Sequence, residues 1–200
     1  MTPRPSPLHH PDRAAPVQRP VLVLLHGHGE EPDAFAAHGR RLVDVDAWTI
    51  VCPEAPHELP EGGRAWWTVD EDAPTEATLS AVMASIPPET GTVYITGFSQ
   101  GGAVALRLGQ RCSEARPHAR CSLAVVSAFL PGDAVALPAG TAILVVHGTK
   151  DEVVDPFHSE LVARRLRRQD CNVTQVHHDG GHVWDDSVAD TVRAWLHPQQ

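Results

Sequence analysis

Two hundred residues fit one domain and hardly two, and an apolar content of 42% argues against wholesale disorder. With 25 acidic residues against 16 basic ones the formal net charge is -9. That balance counts against a non-specific nucleic-acid binder and against a polybasic membrane anchor.

Residues 1–19 are proline-rich and lack an apolar core segment, so they read as a disordered tail rather than a signal peptide. His9 and His10 fall in this tail and read as solvent-exposed bystanders. The first apolar run, Val21–Leu25, is far short of a membrane span, and a cytoplasmic protein without stable membrane insertion is the expectation.

From Val21 onward, short β-branched runs alternate with amphipathic segments. The runs are Val21–Leu25, Ala47–Val51, Thr92–Thr96, Ser122–Ser127, Thr141–Val146 and Val173–His177. Continuous apolar runs of this length suit strands buried on both faces. Between them, Leu79, Val82, Met83 and Ile86 repeat at helical spacing and Pro87-Pro88 stops the helix. Asp155-Pro156 starts another helix, with Phe157, Leu161, Val162 and Leu166 on one side and four arginines largely on the other. Asp185 or Asp186 caps a last helix carrying Val188, Val192, Trp195 and Leu196. Strands alternating with helices imply βαβ units: one three-layer α/β domain over residues 20–198, built on a mainly parallel sheet of about six to seven strands. Sites in such sheets lie beyond the C-terminal ends of the strands.

The third run leads straight into Gly97-Phe98-Ser99-Gln100-Gly101-Gly102. G-x-S-x-G at a strand-to-helix junction is the nucleophile-elbow signature, and the glycines clear space for a sharp turn at Ser99. A serine hydroxyl needs a base and a group that orients the base. On this kind of fold these follow the serine in the order acid, then histidine. Asp151 is preferred as the acid over Asp155, better used as a helix cap, and over Asp179, only three residues from the candidate base. His182, after Gly180-Gly181, is preferred as the base over His177 and His178. Activity is expected to fall in acid as that base protonates.

Acyl transfer also needs donors for the oxyanion. The backbone N–H of Gln100, just after the serine, is one candidate; that of His28, in the loop His26-Gly27-His28-Gly29, is the other. The same loop admits a rival, since His26-x-His28-x-Glu30 could start a metal site completed from His57, His147, Asp151 and His182. That reading leaves the elbow without a purpose, and no metal is expected. The four cysteines, Cys52, Cys112, Cys121 and Cys171, show no CxxC pair. They read as buried or idle thiols, with Cys112 and Cys121 able to pair only in an oxidising compartment.

Taken together, His26-Gly27-x-Gly29, the GFSQGG hexapeptide, His147-Gly148-x-x-Asp151-x-x-Val154 and Gly181-His182 resemble the phospholipase/carboxylesterase family of α/β-hydrolases, which includes the acyl-protein thioesterases. Cys52-Pro53-Glu54-Ala55-Pro56 leading to Ala65-Trp66-Trp67, and Ser127-Ala128-Phe129-Leu130-Pro131, agree with it. The resemblance implies an α/β-hydrolase fold, a Ser99-Asp151-His182 triad, oxyanion donors at His28 and Gln100, and no cofactor. Two departures stand out: an apolar residue is usual where His28 stands, and the segment before the first strong strand is too short and proline-rich for full edge strands.

Between Pro53 and Pro74 there is room for a loop over the site but not for a separate cap domain. Trp66 and Trp67 are candidates to line the acyl pocket, one of them to be expected in the core instead, with Phe129 and Leu130 as further lining. The expected activity is a serine carboxylesterase acting on short- to medium-chain esters. A thioesterase or lysophospholipase would share the triad chemistry, and a non-catalytic ligand-binding module is the alternative from another class. The partner is a small-molecule ester or thioester, not nucleic acid, and a homodimer is left open.

Overall fold

The computed structural model describes residues 19–68, 70–132 and 135–197. The proline-rich tail, with His9 and His10, lies outside the described residues but for Arg19. The chain runs β1 (Val21–Leu25), α1 (Pro32–Leu42), β2 (Thr49–Val51), β3 (His57–Glu58), β4 (Arg64–Ala65), α2 (Glu76–Ser85), β5 (Thr92–Phe98), α3 (Gln100–Ala115), β6 (Arg120–Val126), β7 (Ala142–Gly148), α4 (Phe157–Arg167), β8 (Asn172–His178) and α5 (Asp186–Leu196). Six strands form one sheet in the order β2-β1-β5-β6-β7-β8, and every neighbouring pair is parallel. Strands β3 and β4 make a separate antiparallel hairpin.

Each apolar run of the sequence becomes one strand of the sheet. The second run loses Ala47 and Trp48, because both donate their N–H groups to Asp44 in a turn before β2. Runs three and five extend to Phe98 and Gly148, which carries the sheet right up to the loops at its C-terminal edge.

The strands feed two cores. Side chains alternate along a strand, so Val21, Val23 and Leu25 of β1 join a core with α2, α3 and α4. Leu22 and Leu24 face the other way and pack with Phe35 and Leu42 of α1 and Val188, Val192 and Leu196 of α5. This is the helix-sheet-helix layering that places a buried parallel sheet between helices.

Helix α1 is not among the helices read from the sequence, and its inner face explains why. It buries Pro32, Phe35, Gly39 and Leu42. At Gly39 a Cβ would come within 2.6 Å of Leu24, so the helix sits close to the sheet through a residue that carries no apolar signal. The cap of the last helix sits as expected, with Asp185 accepting the N–H of Val188 at 3.0 Å; in α4 Pro156 takes the N-cap position, and Asp155 just before it accepts the N–H of Phe157 at 2.8 Å.

One expectation is corrected. Cys112 and Cys121 form a disulfide rather than two idle thiols. The turn after α3 returns the chain onto β6 within a few residues, which brings the last turns of the helix over the start of the strand. Cys52 and Cys171 remain free. Burial pushes the Cys52 thiol up to about 12, leaving it without thiolate character. Among the described residues no helix is long and apolar enough to cross a membrane.

Candidate active site

Ser99 stands between β5 and α3 with φ 53° and ψ -119°. A β-carbon residue adopts this conformation only where its surroundings impose it. Its N–H donates to Val126 O at 2.8 Å, pinning the turn to the neighbouring strand. The turn is tight enough that a Cβ on Gly97 would run into the Gly101 carbonyl, and one on Gly101 into the carbonyls of Leu25 and His26. Two glycines of the hexapeptide are therefore demanded by close backbone approach.

Two loops meet over this serine. His182 Nε2 lies 2.9 Å from Ser99 Oγ, and His182 Nδ1 lies 2.8 Å from Asp151 Oδ2. Because Nδ1 faces a carboxylate oxygen it carries the proton, and Nε2 turns a lone pair toward the serine hydroxyl. The imidazole also lies against the ring of Phe98, centroids 4.8 Å apart. Asp151 Oδ1 accepts the N–H groups of Val153 at 3.0 Å and Val154 at 2.8 Å. Burial acts against the ionised form of Asp151. Donors from Val154, His182 and Val153 outweigh it and hold the carboxyl below its usual range.

The two loops are stitched together by backbone. Thr149 N–H donates to His178 O and Lys150 N–H to Gly180 O, both at 2.9 Å. Gly148 permits the contact, since a Cβ there would strike the carbonyls of Gly180 and Gly181. Three of the four competing residues are engaged elsewhere. Asp155 accepts the Phe157 N–H at the start of α4, Asp179 pairs with Lys150 at 2.7 Å, and His177 faces Glu160 at 3.4 Å.

The loop after β1 is held from both sides. Buried His26 accepts the Ala55 N–H on Nε2 at 3.3 Å, so its proton is on Nδ1, which donates to Gly27 O at 2.8 Å. Burial also holds the His26 imidazole below its usual range, in its neutral form. Glu30 accepts the Gly27 N–H at 2.5 Å, and burial raises its carboxyl. Further out, Gly29 donates to Arg64 O and Arg64 to Glu30 O, which ties the loop to the β3–β4 hairpin. Gly27 O and the His28 N–H share one rigid peptide plane, so holding the carbonyl fixes the direction of that N–H. Neither His28 N–H nor Gln100 N–H has a protein acceptor among the described residues. The side chain of Gln100 is committed instead, accepting from Trp66 N–H at 2.8 Å and donating to Trp67 O at 3.0 Å.

Of the four pocket candidates, Trp66 is corrected. It is wholly buried, its Nε1 donates to His26 O at 2.8 Å, and its ring packs on the His26 imidazole at 5.1 Å. It supports the loop from beneath and does not line an open surface. Trp67 meets Phe129 edge to face at 6.1 Å, and Phe129 and Leu130 are half-buried beside it. The metal rival also fails on geometry: His26 is spent on Gly27 and Ala55, and among the described residues no group of three His, Cys, Asp or Glu side chains could hold an ion.

Two residues of this site have no assigned role in the sequence reading beyond a metal ligand, although His147 also opens the His147-Gly148-x-x-Asp151-x-x-Val154 stretch. Glu30 holds the Gly27 N–H, and His147, wholly buried, reaches the turn of Asp151. A histidine four residues before a candidate acid, at the end of a buried strand, is the one sequence signal for the latter.

The phospholipase/carboxylesterase family model matches residues 13–196. No curated protein matches the chain. Among solved structures, a carboxylesterase from Mesorhizobium loti superposes with a TM-score of 0.70 at 23% identity, over 91% of this chain and 90% of that one. The Bacillus cereus carboxylesterase gives a TM-score of 0.70 at 17% identity, over 88% and 87%. Acyl-protein thioesterase 2 from Zea mays gives 0.65 at 22% identity, over 89% and 92%. At these identities the likeness speaks for the fold, which is that of the α/β-hydrolases.

Proposed function

The chain belongs to the phospholipase/carboxylesterase family, and on that premise we propose that it is a serine carboxylesterase acting on short- to medium-chain acyl esters. The observation that carries this reading is the unbroken relay from Ser99 Oγ through both nitrogens of His182 to Asp151 Oδ2. His182 Nε2 takes the hydroxyl proton as Ser99 Oγ bonds to the ester carbonyl carbon. Asp151 stabilises the imidazolium without taking its proton. The N–H groups of His28 and Gln100 receive the oxyanion, aided by the N-terminus of α3. The imidazolium then protonates the departing alcohol as the C–O bond breaks. Water, deprotonated by the same Nε2, attacks the acyl-enzyme and releases the acid and the free serine.

Trp67, Phe129 and Leu130 are the residues offered to the acyl chain. A single domain over residues 20–198 without a separate cap leaves selectivity to short loops. A thiol leaving group is handled by the same steps, so thioesters belong to the same substrate class.

The test is covalent labelling by a fluorophosphonate, which traps an activated serine. Wild type is expected to label once, at Ser99, and Ser99→Ala not at all, with hydrolysis of p-nitrophenyl butyrate reduced by roughly 1,000-fold or more. A folded wild type that neither labels nor hydrolyses would leave the ligand-binding module as the reading. Activity in Ser99→Ala that a chelator removes would favour metal chemistry.

A further inference from the structure

His147 is the penultimate residue of β7, just before Gly148, and is wholly buried. Its Nε2 lies 2.8 Å from Val154 O and 3.2 Å from Asp151 Oδ2. Both neighbours accept, so the ring proton is on Nε2 and Nδ1 is left as a lone pair, without a partner among the described residues. Val154 closes a small ring: its carbonyl takes the His147 proton while its N–H donates to Asp151 Oδ1. One carboxylate oxygen is thus held by backbone and the other lies between two imidazoles, His147 and His182.

We propose that His147 is a positioning residue for the acid of the relay: its Nε2–H donates to Val154 O and so holds the turn bearing Asp151, and the same ring edge lies 3.2 Å from the carboxylate oxygen that His182 uses. The inference rests on the serine-hydrolase reading above. Holding Val154 sets the carboxylate's orientation, and the positive N–H edge 3.2 Å from Oδ2 also takes part of the negative potential that would otherwise stabilise the His182 imidazolium. Removing it while the backbone donors to Oδ1 remain leaves Asp151 in place but makes the imidazolium easier to form. The acid limb of activity then moves to higher pH.

The groups around the relay are few. His147 faces Asp151 from its own loop, His177 from β8 and His182 from the loop before α5. His182 in addition feels Glu30 from the loop after β1. Burial holds the His147 imidazole below its usual range, so it is neutral where the enzyme works and is not itself the group that titrates. A buried histidine with only a structural role would lower stability and turnover without moving the pH profile.

The experiment compares full-length wild type, His147→Leu, His147→Gln and His147→Asn, measuring kcat and KM for p-nitrophenyl butyrate from about pH 5 to about pH 9. The glutamine amide reaches the Nε2 position; the shorter asparagine does not. In His147→Leu we expect kcat lower by roughly tenfold, KM within about twofold, and an acid limb raised by about half a unit. His147→Gln should restore the wild-type limb and His147→Asn should not. Should His147→Leu fail to fold, the Gln and Asn pair decides. Limbs coinciding with wild type in the folded variants would overturn the proposal, while loss of activity in Ser99→Ala under the same assay keeps the hydrolase reading standing. An unimpaired Ser99→Ala would overturn both.

Discussion

Asp151 receives two backbone N–H groups on one oxygen and an imidazole on the other, at distances of 2.8 to 3.0 Å. A carboxyl lowered on folding adds stability that is present above its unfolded pKa and is lost as pH falls through the folded one. Asp151→Asn forfeits that contribution. The urea midpoint of wild type should therefore exceed that of Asp151→Asn at neutral pH, and the gap should narrow below about pH 4. A gap that persists into strong acid would mean that the carboxylate is not held by its donors. At this scale the sequence points to Ser99, Asp151 and His182 through a local motif and through chain order, and the fold brings the three within hydrogen-bond reach. Glu30 has no such motif, and the stretch that begins at His147 does not say what His147 does. Each matters because of an atom it meets across a turn, Gly27 N–H in one case and Val154 O in the other, and spacing does not show where a turn points.

Elements were legible in proportion to the apolar signal they carry. The four central strands β1, β5, β6 and β7 declared themselves as apolar runs because both faces are largely buried, while the edge strands β2 and β8 are only partly covered. Helix α1 did not, since its closest approach to the sheet is at Gly39. The β3–β4 hairpin has two residues per strand, too few for any alternation to register. Trp66 was ambiguous for a different reason: a tryptophan can fill a core or line a pocket, and only the hydrogen bond from its Nε1 to His26 O decides. Helix α5 begins four residues after His182, with Asp185 accepting the Val188 N–H. Asp185→Ala removes that cap and should cost about 1 kcal/mol. For a chain of this size that is a fall in Tm of about 2–4 °C, readable by circular dichroism. The exposed position of the cap predicts that turnover at the permissive temperature changes little.

For the molecule as a whole, the alternation of strands and helices was enough to read a parallel three-layer architecture. It was not enough to read the Cys112–Cys121 bond, because the two residues are brought together by the angle at which α3 turns back onto β6. The bond closes a loop with a sequence separation of 9. Chain entropy alone assigns such a loop about 2–3 kcal/mol. Cys112→Ser with Cys121→Ser should lower the guanidinium midpoint accordingly and leave kcat intact, the bond lying away from Ser99 along α3. Equal midpoints for oxidised wild type and the double variant would show that the crosslink adds nothing to stability.

The backbone stitching of the Asp151 and His182 loops has a consequence for engineering. Thr149, Lys150, His178 and Gly180 bind the two segments to each other through main-chain atoms. They are one heritable module, and a graft into a related scaffold would succeed only if both segments travelled together. The β3–β4 hairpin is a separate module, joined to the loop after β1 through Arg64.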